Sequence, residues 1–176
     1  MAIKNIIKIS IVIIIIGIIS VLLYNIAKKK SYKESVISNI NELPSFCLKD
    51  INNSMFTQED IIHNTPIVFI YFNTECDFCQ YEIKSIKRQR NKFKDITIIF
   101  ISPEPTKEIS IFAKYNGLAD QNNIVFLQDS ILGFATQIDA NIIPTILIYN
   151  KDRKLIKRSK GLLKVDSILK IIKNEN

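Results

Sequence analysis

The sequence predicts an α/β fold: a sandwich with a central mixed β-sheet flanked by helices, preceded by one N-terminal transmembrane helix. Three observations carry this. From residue 43 onward, short apolar runs alternate with helix-like stretches and finish in a hairpin. Cys76-Asp77-Phe78-Cys79 stands between one such run, Ile67 to Phe72, and a polar stretch that begins Gln80-Tyr81-Glu82. Residues 9–26 are almost unbroken hydrocarbon.

That first run, ISIVIIIIGIISVLLYNI, has Lys4 and Lys8 before it and Lys28, Lys29 and Lys30 after it. Eighteen helical residues at about 1.5 Å each span about 27 Å, close to a bilayer core. No convincing small-x-small cleavage site precedes Lys28 and no cysteine follows closely enough to carry a lipid, which favours a retained anchor over a cleaved signal. The lysine count alone would leave the following domain in the cytoplasm. A signal-like hydrophobic segment ahead of a lone CxxC domain argues for export instead, and long domains translocate despite flanking charge. The expected organisation is therefore a basic-flanked anchor over 1–30, a polar linker over 31–42 and one domain over 43–176, with that domain on the extracytoplasmic, periplasmic side.

Within the domain, Leu43 to Asp50 alternates as a first strand, with Phe46 and Leu48 on one face and Cys47 on the other. Thr57-Gln58-Glu59-Asp60 reads as a helix start. Residues 66–72 form the central strand. A long helix runs from Asp77 to about Phe93, with Tyr81, Ile83, Ile86 and Phe93 as its apolar positions. A buried strand follows over 96–101. Pro103 and Pro105 precede a helix near 106–116 that Asn116-Gly117 stops. A strand over 124–127, a short helix over 130–138, a strand over 145–149, a turn over 150–153, its hairpin partner over 154–158 and a closing helix over 165–172 complete the order.

Charge and cysteine usage narrow the function. The net charge of +7 comes largely from lysines in the N-terminal flank and near the C-terminus, without an Arg-rich motif or aromatic interleaving, so it reads as a solvated face and no nucleic-acid partner is expected. Three cysteines are too few for a disulfide-stapled scaffold. Cys76 and Cys79 read as reactive, because a strand that delivers a dithiol onto the first turn of a helix sets the first sulfur against unpaired N–H groups and the positive end of the dipole. The spacing lets Cys79 attack a mixed disulfide formed on Cys76. Cys47 reads as a spectator, and His63, before Pro66, as a surface or capping residue.

The dithiol on the first long helix, with Ile143-Pro144-Thr145 entering a late strand, resembles the thioredoxin superfamily. With the N-terminal anchor, the chain looks most like the membrane-tethered TlpA/ResA branch, over about residues 43 to 174. Residues 72–79 lie where that family has a Phe-Trp-Ala-Thr-Trp-Cys-x-x-Cys signature; Thr74 and both cysteines match, while Phe72 and Glu75 stand at the two tryptophans. The resemblance implies that Glu82 is an acidic group serving Cys79. It also implies that Pro144 is a cis-proline whose segment, Ile143 to Thr145, receives the substrate chain. Ile70 stands where thioredoxin has a buried Asp, and Glu75 and Asp77 flank Cys76 with negative charge, which opposes a thiolate and leans the couple toward a reductant.

The expectation is thus a membrane-anchored thiol-disulfide oxidoreductase needing no cofactor and no metal. Cys76, Cys79 and Glu82 are its catalytic candidates, and Ile143, Pro144 and Thr145 its substrate-binding segment. Its partners are cysteine-containing client proteins and a membrane electron donor or acceptor. Two alternatives are a peroxiredoxin-like peroxidase, for which Thr74 is one residue out of place, and a metal-binding or delivery module drawing on Cys47, His63, Cys76 and Cys79.

Overall fold

The computed structural model describes residues 2–175, with side chains from residue 13 onward. The chain divides into two compact units, Met1–Ser38 and Asn39–Asn176. Helix α1 (Ala2–Ile40) accounts for the first. Among the described residues no helix is long and apolar enough to cross a membrane; residues 9–12 of the expected span lie outside those described to the side chain.

The second unit is built on a seven-stranded sheet of β1 (Cys47–Asp50), β2 (Met55–Thr57), β3 (Ile67–Tyr71), β4 (Thr97–Ser102), β5 (Ile124–Gln128), β6 (Thr145–Tyr149) and β7 (Leu155–Lys160), in the order β2-β1-β5-β4-β3-β6-β7. The pairs β3–β4 and β4–β5 are parallel, and the other neighbours antiparallel. Every residue of β3, β4 and β6 is buried. Their near-continuous β-branched and aromatic runs are what a strand covered on both faces requires.

The two faces sort by parity. Val68, Ile70, Phe72, Ile98 and Phe100 pack with Ile83 and Ile86 of α2 (Asp77–Arg88), Ile109 and Ala113 of α3 (Thr106–Tyr115), and Ile168 and Ile172 of α5 (Val165–Asn174). On the other face Phe69 meets Tyr149 edge-on at 5.8 Å and Phe134, from α4 (Gly133–Gln137), at 5.4 Å, and Phe46 closes the cluster.

Several local boundaries differ from the sequence reading. The polar linker, read as a stalk that could be helical, is helical to Ile40, and that residue is not exposed: its side chain is fully buried and its carbonyl accepts the Tyr149 hydroxyl at 2.9 Å. Leu155 then donates its N–H to Asn41 O, and Leu43 donates to Arg153 O. Chain entry is thereby stitched to the β6–β7 hairpin. The 57–60 helix start is one 3-10 turn, Gln58–Asp60, closed by a reciprocal Thr57–Asp60 cap. The long dithiol helix ends at Arg88, and a 3-10 turn, Arg90–Phe93, carries Phe93 into the core. The short helix starts at Gly133, because the buried Asp129 carboxylate accepts the N–H groups of Phe134 and Ala135 and caps it from outside, with Leu132 in the left-handed region at φ 57°.

Tyr149→Phe removes only the hydroxyl and strands the Ile40 carbonyl in the interior. It is expected to lower stability by about 1–2 kcal/mol, read as a shift in the urea midpoint at unchanged slope.

Candidate active site

The site begins where β3 ends. Phe72 still donates to Ile101 O at 2.9 Å, so the strand is held by β4 for one residue more. The chain then turns on Asn73: its side-chain oxygen accepts the Glu75 N–H at 2.8 Å, and its carbonyl accepts from Cys76 N at 3.3 Å. Cys76 is the N-cap of α2, in extended conformation at φ −75° and ψ 114°. Its Sγ takes the position that a Ser or Asp oxygen usually fills and accepts the Cys79 N–H at 3.3 Å. Asp77 in the first turn and Lys87 and Arg88 in the last complement the helix dipole.

The two cysteines differ in exposure. Both are free thiols; Cys76 is half-exposed and Cys79 fully buried, with the sulfurs 2.7 Å apart. Burial pushes the Cys79 thiol up to about 12, helped by its hydrogen bond to Cys76 and by the charges of Cys76 and Glu82, while the Asn73 backbone pulls the other way. An accessible sulfur thus stands in front of a protonated, sheltered one. That asymmetry suits attack by an outer sulfur and resolution by an inner one.

Glu82 lies on the core face of α2, one turn beyond Cys79, at 1 % exposure. Neither carboxylate oxygen has a hydrogen-bond partner. Burial raises its pKa to about 8; the Leu163 backbone offsets part of that rise without reaching hydrogen-bonding geometry. Such a group is mostly protonated at neutral pH and can exchange a proton with a nearby thiol. Tyr81, expected as an apolar core position, is exposed instead, because the face that meets the sheet runs through Cys79, Glu82, Ile83 and Ile86.

Ile143, Pro144 and Thr145 reach the same end of the sheet. Thr145 pairs across from Tyr71, so Pro144 borders the loop that leaves β3 for Cys76. The Ile143–Pro144 bond is cis; Ile143 is exposed, while Pro144 and Thr145 are buried. The Thr145 hydroxyl donates to Ile142 O, and Gly161 N donates to Pro144 O at 2.7 Å. Phe78, Tyr81, Ile142 and Ile143 leave exposed apolar surface on these segments.

Two polar clusters around the site were not read from the sequence. Glu104, just past β4, accepts the Thr74 N–H at 2.9 Å, the Thr74 hydroxyl at 2.7 Å and the Ser102 hydroxyl at 2.8 Å, while Gln80 Nε2 donates to Thr74 O at 2.8 Å. Thr74 is held at its amide, hydroxyl and carbonyl, which fixes the loop feeding Cys76. From β7, Arg158 donates to Ile138 O, Asp139 O and the Asp139 carboxylate, and Lys160 reaches Asp139 and Asn141 at 2.6 Å each. Burial works against the Asp139 charge, but the hydrogen bonds and charges of Lys160 and Arg158 prevail and hold its pKa below the usual carboxylate value. This clasp holds the loop that leads into Pro144.

The remaining candidates lie apart. Cys47 is exposed on β1, three strands from β3 in the sheet order and thus about 14 Å across. Exposed His63 sits before β3, at the opposite end from the dithiol, with its ring 3.4 Å from Arg153. Among the described residues no group of three or more His, Cys, Asp or Glu side chains is placed to hold a metal ion.

Residues 40–158 match the model of the AhpC/TSA family. No curated protein matches the chain. Among solved structures, peroxidoxin BcpB from Mycobacterium tuberculosis shares 16% identity over 77% of this chain and 96% of its own, with a TM-score of 0.66. A secreted M. tuberculosis disulfide oxidoreductase homologous to E. coli DsbE shares 14% over 78% and 98%, at 0.61. StoA from Bacillus subtilis shares 14% over 72% and 95%, at 0.57. At these identities the likeness is one of fold.

The buried Glu82 makes a pH prediction. Its pKa is raised above the ordinary 4.5, so the folded state binds this proton more tightly than the unfolded one. The associated stability is full below pH 4.5 and is lost as pH rises to about 8. Glu82→Gln should be more stable than the parent at pH 9 by about 4–5 kcal/mol relative to their difference at pH 4, read from denaturant midpoints of the reduced proteins. A constant difference across that range would show that Glu82 is not buried as a neutral acid.

Proposed function

The chain belongs to the thioredoxin-like AhpC/TSA family, and from that premise we propose that it is a membrane-anchored thiol-disulfide oxidoreductase reducing protein disulfides outside the cytoplasm through Cys76 and Cys79. The observation that carries this reading is the pair of free thiols at the N-terminus of α2, one half-exposed and one buried.

In the reaction, the Cys76 thiolate attacks one sulfur of a client disulfide. The client S–S bond breaks, one client thiolate leaves and a Cys76–client disulfide forms. Cys79 gives up its proton, for which the acceptor is Glu82 in the minor fraction of molecules where its carboxyl is ionised, and attacks Cys76 Sγ. The second client thiolate leaves as the Cys76–Cys79 disulfide closes. Two electrons and two protons pass to the client, and a reduced dithiol partner at the membrane restores the pair. The client's extended chain lies against Ile143, Pro144 and Thr145 during the exchange.

A reducing direction is supported by the high pKa of Cys79 and by Glu75 and Asp77, which flank Cys76 with negative charge. Both favour the dithiol over states that need thiolate. Anchoring rests on the hydrocarbon run over residues 9–26 and its lysine flanks. The likeness to a peroxidoxin supports a second reading, a thiol peroxidase. Hydrogen peroxide consumption, measured beside disulfide reduction, separates the two.

The full-length protein in detergent should catalyse insulin reduction by a small dithiol, and Cys76→Ser should bring the rate to background. Cys79→Ser should accumulate client adducts that a reductant releases on a gel, since the first attack survives and resolution does not. Retained activity in Cys76→Ser would remove the nucleophile from this scheme.

Topology has its own test. Protease added to spheroplasts should digest the domain while the anchor stays with the membrane fraction; protection until lysis would put the domain in the cytoplasm.

A further inference from the structure

Beside the dithiol a groove of about 520 Å3 opens between α2 and α3, with Glu75, Lys84, Glu108, Ile111, Phe112 and Tyr115 in its lining. Its lining is graded along its length. Glu75 is the residue before Cys76, and Glu108 lies in the first turn of α3, which starts just past the dithiol end of β4. Ile111 and Phe112 follow one turn on, and Tyr115 and Lys84 lie at the far end. Ile111 is 60% and Tyr115 80% exposed, large apolar side chains that this chain leaves uncovered. Neither Glu75 nor Glu108 has an ion-pair partner among the described residues.

From this gradation we infer that the groove is a specificity subsite for the client, taking an Arg or Lys next to the client's reacting cysteine and an apolar residue beyond it. A basic side chain lays its hydrocarbon stem along Ile111 while its charged head meets Glu75 and Glu108 at the mouth. The next apolar residue covers Phe112 and Tyr115. Lys84, at the far end, disfavours a second cation. The two carboxylates are exposed, so the discrimination is modest and shrinks with salt. The inference deepens the oxidoreductase reading and rests on it.

The test uses peptides with one cysteine held as a mixed disulfide with 2-mercaptoethanol, flanked on both sides by Arg, Ala or Glu and then by leucine. Full-length protein in detergent, reduced beforehand and freed of reductant, is mixed with each peptide and followed through a single turnover. The Arg peptide should react about fivefold faster than the Glu peptide at low salt, with the Ala peptide between them, and Glu108→Gln should at least halve that ratio. Replacing the outer leucine with serine should slow the parent protein but not Ile111→Ser. Equal rates for Arg and Glu peptides, or a ratio untouched by Glu108→Gln, overturn the subsite. Hydroxyethyl disulfide, small and neutral, is the control: reduction of it with no peptide preference sinks the subsite alone, whereas failure to reduce it or any peptide sinks the oxidoreductase reading as well.

Discussion

Everything at the dithiol depends on the burial of β3. The strand lies between β4 and β6 and under helices on both faces, so each of its residues is fixed by a partner on either side. A one-residue slip would move Ile70 and Phe72 to the wrong face of the sheet. That cost pins the point at which the chain leaves the sheet, and Cys76 emerges from it after a single turn. Helix α2 must then bury one stripe against the same strand, and the stripe carries Cys79 and Glu82 inward while Cys76 stays at the rim. The thiol asymmetry is a by-product of packing a helix on a strand buried on both faces.

Glu82 shows what such packing does to chemistry. A carboxyl group on the surface of α2 would be an ordinary helix-dipole partner. Turned inward among Ile83, Ile86 and Cys79 with no donor on either oxygen, it is driven to hold its proton near neutral pH. The energetic penalty of burying it ionised is the physical source of its raised pKa.

The strands were legible because β3, β4 and β6 are continuous apolar runs, and the dithiol because CxxC stands between such a run and a polar helix. The burial of Cys79 was not read, because a cysteine at the start of a helix was weighed for its reactivity and not as one of the helix's apolar positions. Tyr81 was misplaced because a tyrosine and a glutamate adjacent on a helix invite the reading that the aromatic goes inward, whereas the stripe set by Cys79, Ile83 and Ile86 includes position 82. The Glu104 and Asp139 clusters were not legible. Glu104 lies 30 residues from Thr74, and Asp139 about 20 from Arg158 and Lys160, and only the sheet order brings each pair together. Strand β2 escaped notice as well, since three residues show no period, and the true start of α4 depends on a carboxylate three residues before its N-cap.

The sheet's two outer strands, β2 and β7, face a hazard of their own. An open edge is a row of unsatisfied amides and carbonyls on which a stranger's strand can settle. Here β2 ends the sheet after three residues, too short for a long ladder. On the other side β7 is six residues long but carries Lys157, Arg158 and Lys160, and two of these are committed to Asp139. Adding a strand of the same kind alongside would crowd cations and tear that grip loose. The residues that steady the loop before Pro144 therefore also guard the sheet against stacking edge to edge, which matters for a protein whose proposed partners are other protein chains.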